Sequence, residues 1–386
     1  YRDGFLTARR TFQKYFTQRE ARDLIATATR QEAIPVAPGV FLVFRDKLEE
    51  QRFLARRSRR RDISHLLSIA PPAASGATRA PADLTEEQRD LLREVWHYAL
   101  ERGRIPHGDE IPEDLDAHVR AQIGSLRKAV QLAQAQEDPS QLTAARDLRM
   151  ADLRVYFALN LFNRRPAYRQ LPPELQRDVK AFFGSYRQAN EAGEALLYSV
   201  NDPETLLSAC QEAAENDIGY LFVDHSLQVH AALEGRLPEV LRTYIGCAEK
   251  LFGTIDEETT DLIKIHIYSG KLTLLRFDDF FGKPLPRLVE RIKIKMRQQD
   301  VDFFDHADDK AAPRLTLKSR YMSPNQEGYS RQRTFDEQLV GLGLFDLEGY
   351  GPNAATLARG LTRAGYRVAG FEIVPASDTY PAKSKW

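Results

Sequence analysis

The residues best suited to chemistry in this sequence are arginines crowded into one short segment. The segment RFLARRSRRR carries Arg52, Arg56, Arg57, Arg59, Arg60 and Arg61. Guanidinium groups chelate phosphate oxygens and displace counterions, so this run could hold a nucleic-acid backbone. A solvated helix end that leads into a linker would have the same composition. Both interpretations stay open.

A second basic set lies on a predicted β-hairpin. Alternating apolar and polar residues flank Ser269-Gly270, which is typical of two paired strands and a tight turn. Basic residues on and after this hairpin are Lys264, His266, Lys271, Arg276, Lys293, Lys295 and Arg297. Together they could form a second phosphate-facing surface. The alternative is the charged outer face of an ordinary sheet.

Catalytic motifs are absent from the sequence. No glycine-rich G-x-G turn follows a strand, and no nucleophile elbow, H-E-x-x-H or P-loop pattern occurs. His306 stands in an acidic segment, but without an ordered glycine-containing loop this favours a solvated turn, and we expect no metal. Asp261 with Lys264 is a poor version of the carboxylate and lysine set of a nuclease, so cleavage is the weakest of the functional hypotheses.

Charge and cysteine content limit the class of protein. In 386 residues, 55 Lys and Arg balance 55 Asp and Glu, so any nucleic-acid contact must come from a local patch. The two cysteines, Cys210 and Cys247, show no disulfide framework or metal-ligand spacing, which suits a reducing compartment. No run approaches the about 18 apolar residues of a membrane helix, and no signal pattern opens the chain. We expect a cytoplasmic protein without membrane contact.

Helix and hairpin signals open the chain. Residues 17–30 show helical spacing of apolar side chains, with Glu20 in the first turn. Two apolar runs, residues 33–37 and 40–45, flank Pro38-Gly39, which predicts a hairpin. A helix that leads into an antiparallel hairpin is how a Rossmann-like methyltransferase sheet ends, although many α/β domains contain the same order.

Composition divides the chain into three regions and a linker. Residues 68–83, rich in Pro, Ala, Ser and Gly, predict a flexible connection after a first region at residues 1–67. Residues 84–200 carry successive helical stripes and predict a helical bundle. Residues 201–386 mix helical and strand patterns and predict an α+β region. The predicted fold class is therefore α/β plus mostly α.

Local signals refine this prediction. A capping box of Thr85 and Gln88 opens a helix that Gly103 should end. Residues 285–297 are predicted to be helical, and the acidic residues 302–310 are predicted to form a loop.

Several long strings of the sequence resemble one family, the DNA phosphorothioation-associated methyltransferases. These strings are DGFLTARRTFQKYFTQREARDLI, PVAPGVFLVFRDKLEEQRFLARRSRRR, LPPELQRDVKAFFGSYRQANEAGEALL and LRTYIGCAEKLFGTIDEETTDLIKIHIYSGKLTLLRFDDF. The resemblance covers nearly the whole chain and thins after Arg320. The strings are specific to the family, but they are not catalytic motifs.

The resemblance implies a class I methyltransferase domain that binds S-adenosylmethionine through a glycine-rich loop, followed by a helical and mixed region. Because the chain opens on Tyr1 with a loop-like segment, we expect it to be a piece of a larger protein that begins after that loop. Residues 1–44 would then be the last helix and the terminal hairpin of a Rossmann-like sheet. The cofactor is expected in the full-length parent only, and none in this chain.

The family accompanies the bacterial machinery that places sulfur in the DNA backbone, so DNA and other proteins of that modification and defence system are the implied partners. If the methyl acceptor is DNA, a flipped base would need a pocket beside the cofactor. By position, Thr11, Gln13 and Lys14 could lie near that pocket. The competing hypothesis is a binding module without catalysis that docks on DNA or on a partner protein through the arginine run.

Overall fold

The structure is a computed structural model, and its contacts divide the chain into two compact units. It describes residues 4–14, 16–59, 84–163, 165–223, 225–345 and 351–376. We call Phe44–Tyr198 the helical unit, and Tyr1–Val43 together with Ser199–Trp386 the sheet unit. The predicted linker at residues 68–83, and with it Arg60 and Arg61, lies outside the described residues.

Two hairpins and one helix begin the sheet unit. They are β1 (Gly4–Leu6), β2 (Phe12–Lys14), α1 (Gln18–Thr29), β3 (Ile34–Ala37) and β4 (Val40–Leu42). Strand β1 pairs antiparallel with β2, and β3 with β4. Thr17 and Glu20 form a capping box at α1, because the Glu20 carboxylate accepts from the Thr17 N–H at 2.9 Å and the Thr17 hydroxyl accepts from the Glu20 N–H at 3.2 Å. The helix and hairpin predicted here are confirmed.

Seven longer helices build the described part of the helical unit. They are α2 (Lys47–Arg57), α3 (Glu86–Arg102), α4 (Glu113–Gln122), α5 (Leu126–Gln134), α6 (Pro139–Asn160), α7 (Pro173–Phe182) and α8 (Tyr186–Ser199). The predicted capping box of Thr85 and Gln88 opens α3, and Gly103 ends it in the left-handed region at φ 63°. That helix prediction is confirmed.

The core of the helical unit lies between α3, α4, α5 and α6. Val95, Val119 and Ala129, from three of these helices, are fully buried in one cluster. Helix α2 is fixed against α6 because Gln51 Oε1 accepts hydrogen bonds from the Tyr156 hydroxyl at 2.6 Å and from the Asn160 amide at 3.1 Å. These buried polar contacts give the helix that carries the arginine run one definite position.

The remainder of the sheet unit is a sheet flanked by helices. Its elements are α9 (Pro203–Glu215), β5 (Tyr220–Phe222), β6 (Ser226–His230), α10 (Glu239–Phe252), β7 (Leu262–His266), β8 (Lys271–Phe277), β9 (Leu288–Lys295), β10 (Asp300–Asp305), α11 (Tyr329–Gly341), α12 (Ala354–Arg363), β11 (Tyr366–Ala369) and β12 (Glu372–Pro375). Strands β5 to β10 form one antiparallel sheet in sequence order, and β11 pairs with β12. The hairpin predicted around Ser269-Gly270 is confirmed as β7 and β8.

One face of the six-stranded sheet packs against α9 and α10. Ile263, Ile265 and Leu272 from the sheet share a buried cluster with Leu241 and Ile245 of α10. Because successive side chains of a strand point to opposite faces, the residues between these apolar positions lie on the other face. That other face carries the basic side chains.

The helix predicted at residues 285–297 is wrong, because this segment contains strand β9. Ile292 and Ile294 are buried while Lys293 and Lys295 are half-buried, which is the alternation of a strand and not of a helix. Pairing with β8 on one side and β10 on the other satisfies its backbone. The loop predicted at residues 302–310 is also wrong in its first part, which belongs to β10.

Strand β3 packs on the end of α10 in a contact that the sequence did not predict. The Thr254 N–H donates to the Val36 carbonyl at 3.0 Å. A Cβ on Gly253, which has φ 120°, would lie 2.7 Å from the Ala37 Cα. Only glycine tolerates both that backbone conformation and that approach.

The fold is mixed α/β, as predicted at that level. All strand pairs in the described ranges are antiparallel. Within those ranges, no helix combines the length and the apolar composition needed to cross a bilayer.

Candidate nucleic-acid interface

The sheet face that points away from α9 and α10 holds two polar rows that run across the strands. Successive Cα partners in the first row are Gln228, Lys264, Thr273, Lys293 and Asp302. Those in the second row are Ser226, His266, Lys271, Lys295 and Asp300. The lysines that the sequence analysis grouped, Lys264, Lys271, Lys293 and Lys295, therefore share one face. We call Lys264, His266, Lys271, Arg291 and Lys293 the basic face.

The lysines of these rows differ in how their charge is neutralised. Lys295 Nζ lies 3.0 Å from the Asp300 carboxylate and 2.8 Å from that of Asp302. Lys271 and Lys293 have no ion pair among the described residues. The central strands thus carry two lysines without an ion pair among the described residues, whereas at the β10 edge two carboxylates share one lysine.

Aromatic rings hold three of the cations in place. Lys264 Nζ lies 4.9 Å from the centroid of the Phe222 ring. The Arg291 guanidinium lies 4.4 Å, and Lys293 Nζ 5.3 Å, from the centroid of the Phe304 ring. Such contacts fix a cation over the negative face of the ring. Because Phe222 is only 6% exposed, it offers no surface on which a base could stack. At Phe222 the basic face therefore provides charge and not a stacking platform.

The pKa values of three residues on this face are lowered, so their charged forms are disfavoured. Burial lowers the pKa of Lys264. Burial, followed by the charges of Arg291 and Lys271, lowers that of Lys293. Burial and then Lys264 lower the pKa of His266 to about 4, so its imidazole is neutral at pH 7 and its Nε2 lies 3.0 Å from Thr273 Oγ1. A bound anion would relieve the repulsion among these cations.

Two other predicted residues of this region do not join the basic face. Strand alternation places Arg276, paired with Glu290, on the side of Leu272 and Leu274, so the prediction that groups it with Lys264 and Lys271 is not supported by its position. The Asp261 carboxylate accepts from the Phe277 N–H at 2.6 Å, and burial raises its pKa. This contact accounts for Asp261 as a structural residue.

The described arginines of the run lie from the middle to the end of α2 and just after it. Arg52 lies 2.6 Å from the Glu49 carboxylate and 3.4 Å from that of Glu174. The Arg57 guanidinium lies 5.8 Å from the centroid of the Phe53 ring.

Three arginines of the run surround a cavity in the helical unit. Arg52, Arg56 and Arg59 line a space of about 330 Å³ together with Arg102 from the end of α3 and Arg149 from α6. We call these five residues and their space the arginine cavity. Arg102 and Arg149 were missed by the sequence analysis because no spacing in the chain connects them with the run. Only the packing of α2, α3 and α6 brings the five together.

A buried ion network holds Arg149 beside the arginine cavity. The Asp178 carboxylate, fully buried, lies 2.7 Å from Arg149 Nη2 and 2.7 Å from Arg104 Nε. Arg104 Nη2 in turn lies 2.7 Å from Glu110. Burial alone would raise the pKa of Glu110, but hydrogen bonds from Arg104 and from the His107 N–H lower it to about 2. Glu110 is therefore ionised at neutral pH.

The predicted active-site loop residues lie at the β1–β2 hairpin. Thr11 Oγ1 is 2.6 Å from Thr7 Oγ1, and Gln13 pairs with Phe5 across the strands. Lys14 Nζ lies 3.7 Å from the Glu20 carboxylate. Thr11, Gln13 and Lys14 are exposed, and their role near a methyl-transfer pocket stays a prediction.

The acidic residues 302–310 contain one histidine, His306, that lies near a carboxylate. His306 Nδ1 lies 3.5 Å from the Asp309 carboxylate. In the part of the chain that the structure describes, no three His, Cys, Asp or Glu side chains are grouped to hold a metal ion.

In comparisons with protein-family models, with curated proteins and with solved structures, nothing matches this chain. Inference about its function therefore rests on its own residues and on the resemblance of its sequence strings.

Proposed function

We propose that this chain is the nucleic-acid-binding part of a bacterial DNA-modifying methyltransferase of the phosphorothioation-associated family. The observation that carries the binding role is the basic face. It presents Lys271 and Lys293 without ion pairs among the described residues, beside Lys264 and Arg291. The sugar-phosphate backbone of DNA is the polyanion that such a surface suits.

Binding of this kind depends on salt and is tolerant of sequence. Each phosphate that a lysine neutralises releases condensed counterions, and this release drives the association. Contacts to phosphates position a protein on DNA but carry no base information. Because Phe222 is buried and its ring is covered by Lys264, stacking adds no preference for particular bases at this position.

The methyltransferase part of the proposal rests on the resemblance. Helix α1 followed by the β3–β4 hairpin has the order expected at the end of a Rossmann-like sheet. In a Rossmann-like fold the cofactor binds in a crevice at the switch point of a parallel sheet. The strand pairs of the described residues are all antiparallel, so these residues provide no such crevice for S-adenosylmethionine. We therefore propose that the cofactor binds elsewhere in the full-length parent, and we assign no step of methyl transfer to the described residues.

A charge-removal experiment tests the binding role. The variant K264Q/K271Q/K293Q removes three cations of the basic face, and K128Q/K180Q/K310Q removes three exposed lysines elsewhere. Fluorescence anisotropy with a labelled 20-base-pair duplex would be recorded between 50 and 200 mM NaCl. With about three phosphates neutralised, we expect wild-type affinity to fall roughly 40-fold over that range, since log K changes by about 0.9 per phosphate for each decade of salt.

The basic-face variant should lose most of this affinity and most of its salt dependence, while the control variant keeps both. Equal binding by the two triple variants would show that the basic face is not the DNA site. Circular dichroism of each variant confirms that the fold is retained.

Calorimetry separates an enzyme from a docking module. Titration of S-adenosylmethionine into the full-length parent should show binding, whereas this chain should bind it weakly or not at all. Binding by neither protein would favour the competing proposal, a non-catalytic module that docks on DNA or on a partner of the modification system. A micromolar dissociation constant for this chain alone would contradict the placement of the cofactor site.

A further inference from the structure

The arginine cavity holds more positive charge than its surroundings neutralise. Arg52 is paired with Glu49 and Glu174, and Arg149 with Asp178. The other three arginines, Arg56, Arg59 and Arg102, make no ion pair among the described residues. Among the described residues that line the space, Glu174 is the one carboxylate. Within the described lining, three guanidinium groups therefore have no ion pair.

Contacts of these three arginines leave donors free. Arg59 donates from Nη2 to the Glu101 carbonyl at 3.0 Å. The Arg102 Nε–H is buried and has no hydrogen-bond partner in the described parts of the chain. A buried charged donor without an acceptor is unfavourable, so this group calls for an acceptor that the described residues do not supply.

Electrostatics within the cavity point the same way. The pKa of Arg59 is lowered, first by burial and then by the charges of Arg149 and Arg102. Glu101 and Asp152 oppose this effect without cancelling it. Like charges have thus been brought together in a partly desolvated space, and an anion bound between them would reduce their repulsion.

We propose that the arginine cavity binds a phosphate monoester group. Guanidinium forks match phosphate oxygens through paired hydrogen bonds. A monoester carries a charge of about −1.5 to −2 at pH 7, which suits three uncompensated guanidiniums better than the single charge of a backbone diester. The volume of about 330 Å³ is at the small end of ligand sites, roughly 300–1,000 Å³. It would admit a terminal phosphate and an attached group but not a duplex.

This chemistry has two sources, a free mononucleotide or the 5′-phosphorylated end of a DNA strand. Calorimetry with thymidine 5′-monophosphate tests the shared chemistry, and thymidine is the control without phosphate. Decathymidylate with and without a 5′-phosphate tests the strand end. Tighter binding of the phosphorylated strand than of the mononucleotide supports a strand-end site, and the reverse order supports a nucleotide site.

Variants assign the binding to the cavity. R56Q/R59Q should weaken thymidine monophosphate binding at least tenfold, and R102Q by a similar factor. The control R127Q/R169Q removes two exposed arginines of the helical unit and should bind like wild type. The basic-face variant K264Q/K271Q/K293Q should also bind the mononucleotide normally, which keeps this inference independent of the proposed DNA role.

Affinity should fall as the pH is lowered through about 6, where the monoester loses its second charge. No binding of thymidine monophosphate by the wild-type protein at millimolar concentration would overturn the inference. So would binding that R56Q/R59Q and R102Q, both shown to be folded by circular dichroism and thermal melting, leave unchanged.

Discussion

The arginine cavity and the basic face both concentrate positive charge in a chain whose formal net charge is zero, but they hold it differently. In the cavity, helices from distant parts of the chain bring guanidiniums together, and a buried carboxylate network supports one of them. On the basic face, neighbouring strands set lysines side by side, and aromatic rings support them. The first arrangement limits the size of a ligand, whereas the second is open along the sheet.

The largest expected effect is the loss of stability when the ion network beside the arginine cavity is broken. Asp178→Asn leaves Arg149 and Arg104 buried beside a neutral side chain, so the free energy of unfolding should fall by about 3–5 kcal/mol. Urea unfolding would be followed by the fluorescence of Trp96, which is buried in the helical unit, in a Trp386→Phe background. The matched control Asp90→Asn breaks an exposed pair with Arg93 and should change stability by less than about 1 kcal/mol. Similar losses in both variants would mean that the network does not support the cavity.

The second difference concerns salt. Duplex DNA carries condensed counterions and a mononucleotide does not, so binding to the basic face should weaken roughly 40-fold between 50 and 200 mM NaCl. Binding of thymidine monophosphate to the cavity should weaken only a few-fold through screening. Parallel anisotropy and calorimetry titrations measure the two slopes. Equal slopes would contradict the division of roles between an open and an enclosed site.

The third difference concerns pH at the basic face. The pKa of His266 is about 4 in the folded chain and 6.5 as a reference value. As pH falls from 6.5 towards 4, the unfolded chain therefore binds the proton first, and folding stability is lost over that window. Lys264, Lys271, Lys293 and His225 disfavour the protonated His266 imidazole. The phosphates of bound DNA would offset this repulsion, so the pKa of His266 should rise by roughly one unit.

NMR titration of the His266 ring protons, with and without duplex, measures this shift, and His266→Gln identifies the signal. A pKa that stays at its free value in the complex would place the DNA elsewhere.

The smallest expected effect is on the stability of the free basic face. Lys293→Gln removes a cation whose pKa is lowered by burial and by Arg291 and Lys271. Relief of this repulsion should raise stability by a few tenths of a kcal/mol, the scale of cross-strand charge pairs. Lys295→Gln, which breaks pairs with Asp300 and Asp302, should have the opposite sign. The same sign for both variants in thermal melts would contradict the charge distribution described above.

Local patterns predicted the elements that their own residues determine. The capping box at Thr85, the helical spacing of residues 17–30 and the turn at Ser269-Gly270 are local patterns, and the structure confirms the helices and the hairpin that they indicate. The helix predicted at residues 285–297 failed because the alternation of Ile292 and Ile294 is short. Pairing with both neighbouring strands determines that segment more strongly than its helix propensity.

The candidate sites were predictable only in part for the same reason. Lys264 and Lys271 stand on one hairpin, so their common face follows from strand alternation. The sequence also grouped Lys293 with them, but its place on the same face follows only from strand β9, where a helix was predicted. Arg102 and Arg149 join the arginine run through helix packing, which no local spacing encodes.

The contact between β3 and the end of α10 also determines when the sheet unit can fold. Val36 and Thr254, which share a hydrogen bond, are separated in the chain by the whole helical unit. On a ribosome that adds about 5–20 residues per second, the apolar residues of β3, including the buried Ile34, would wait roughly 10–40 s for their partners. If the helical unit folds during that interval, it shortens the flexible loop that must close and so lowers the entropic cost of completing the sheet unit.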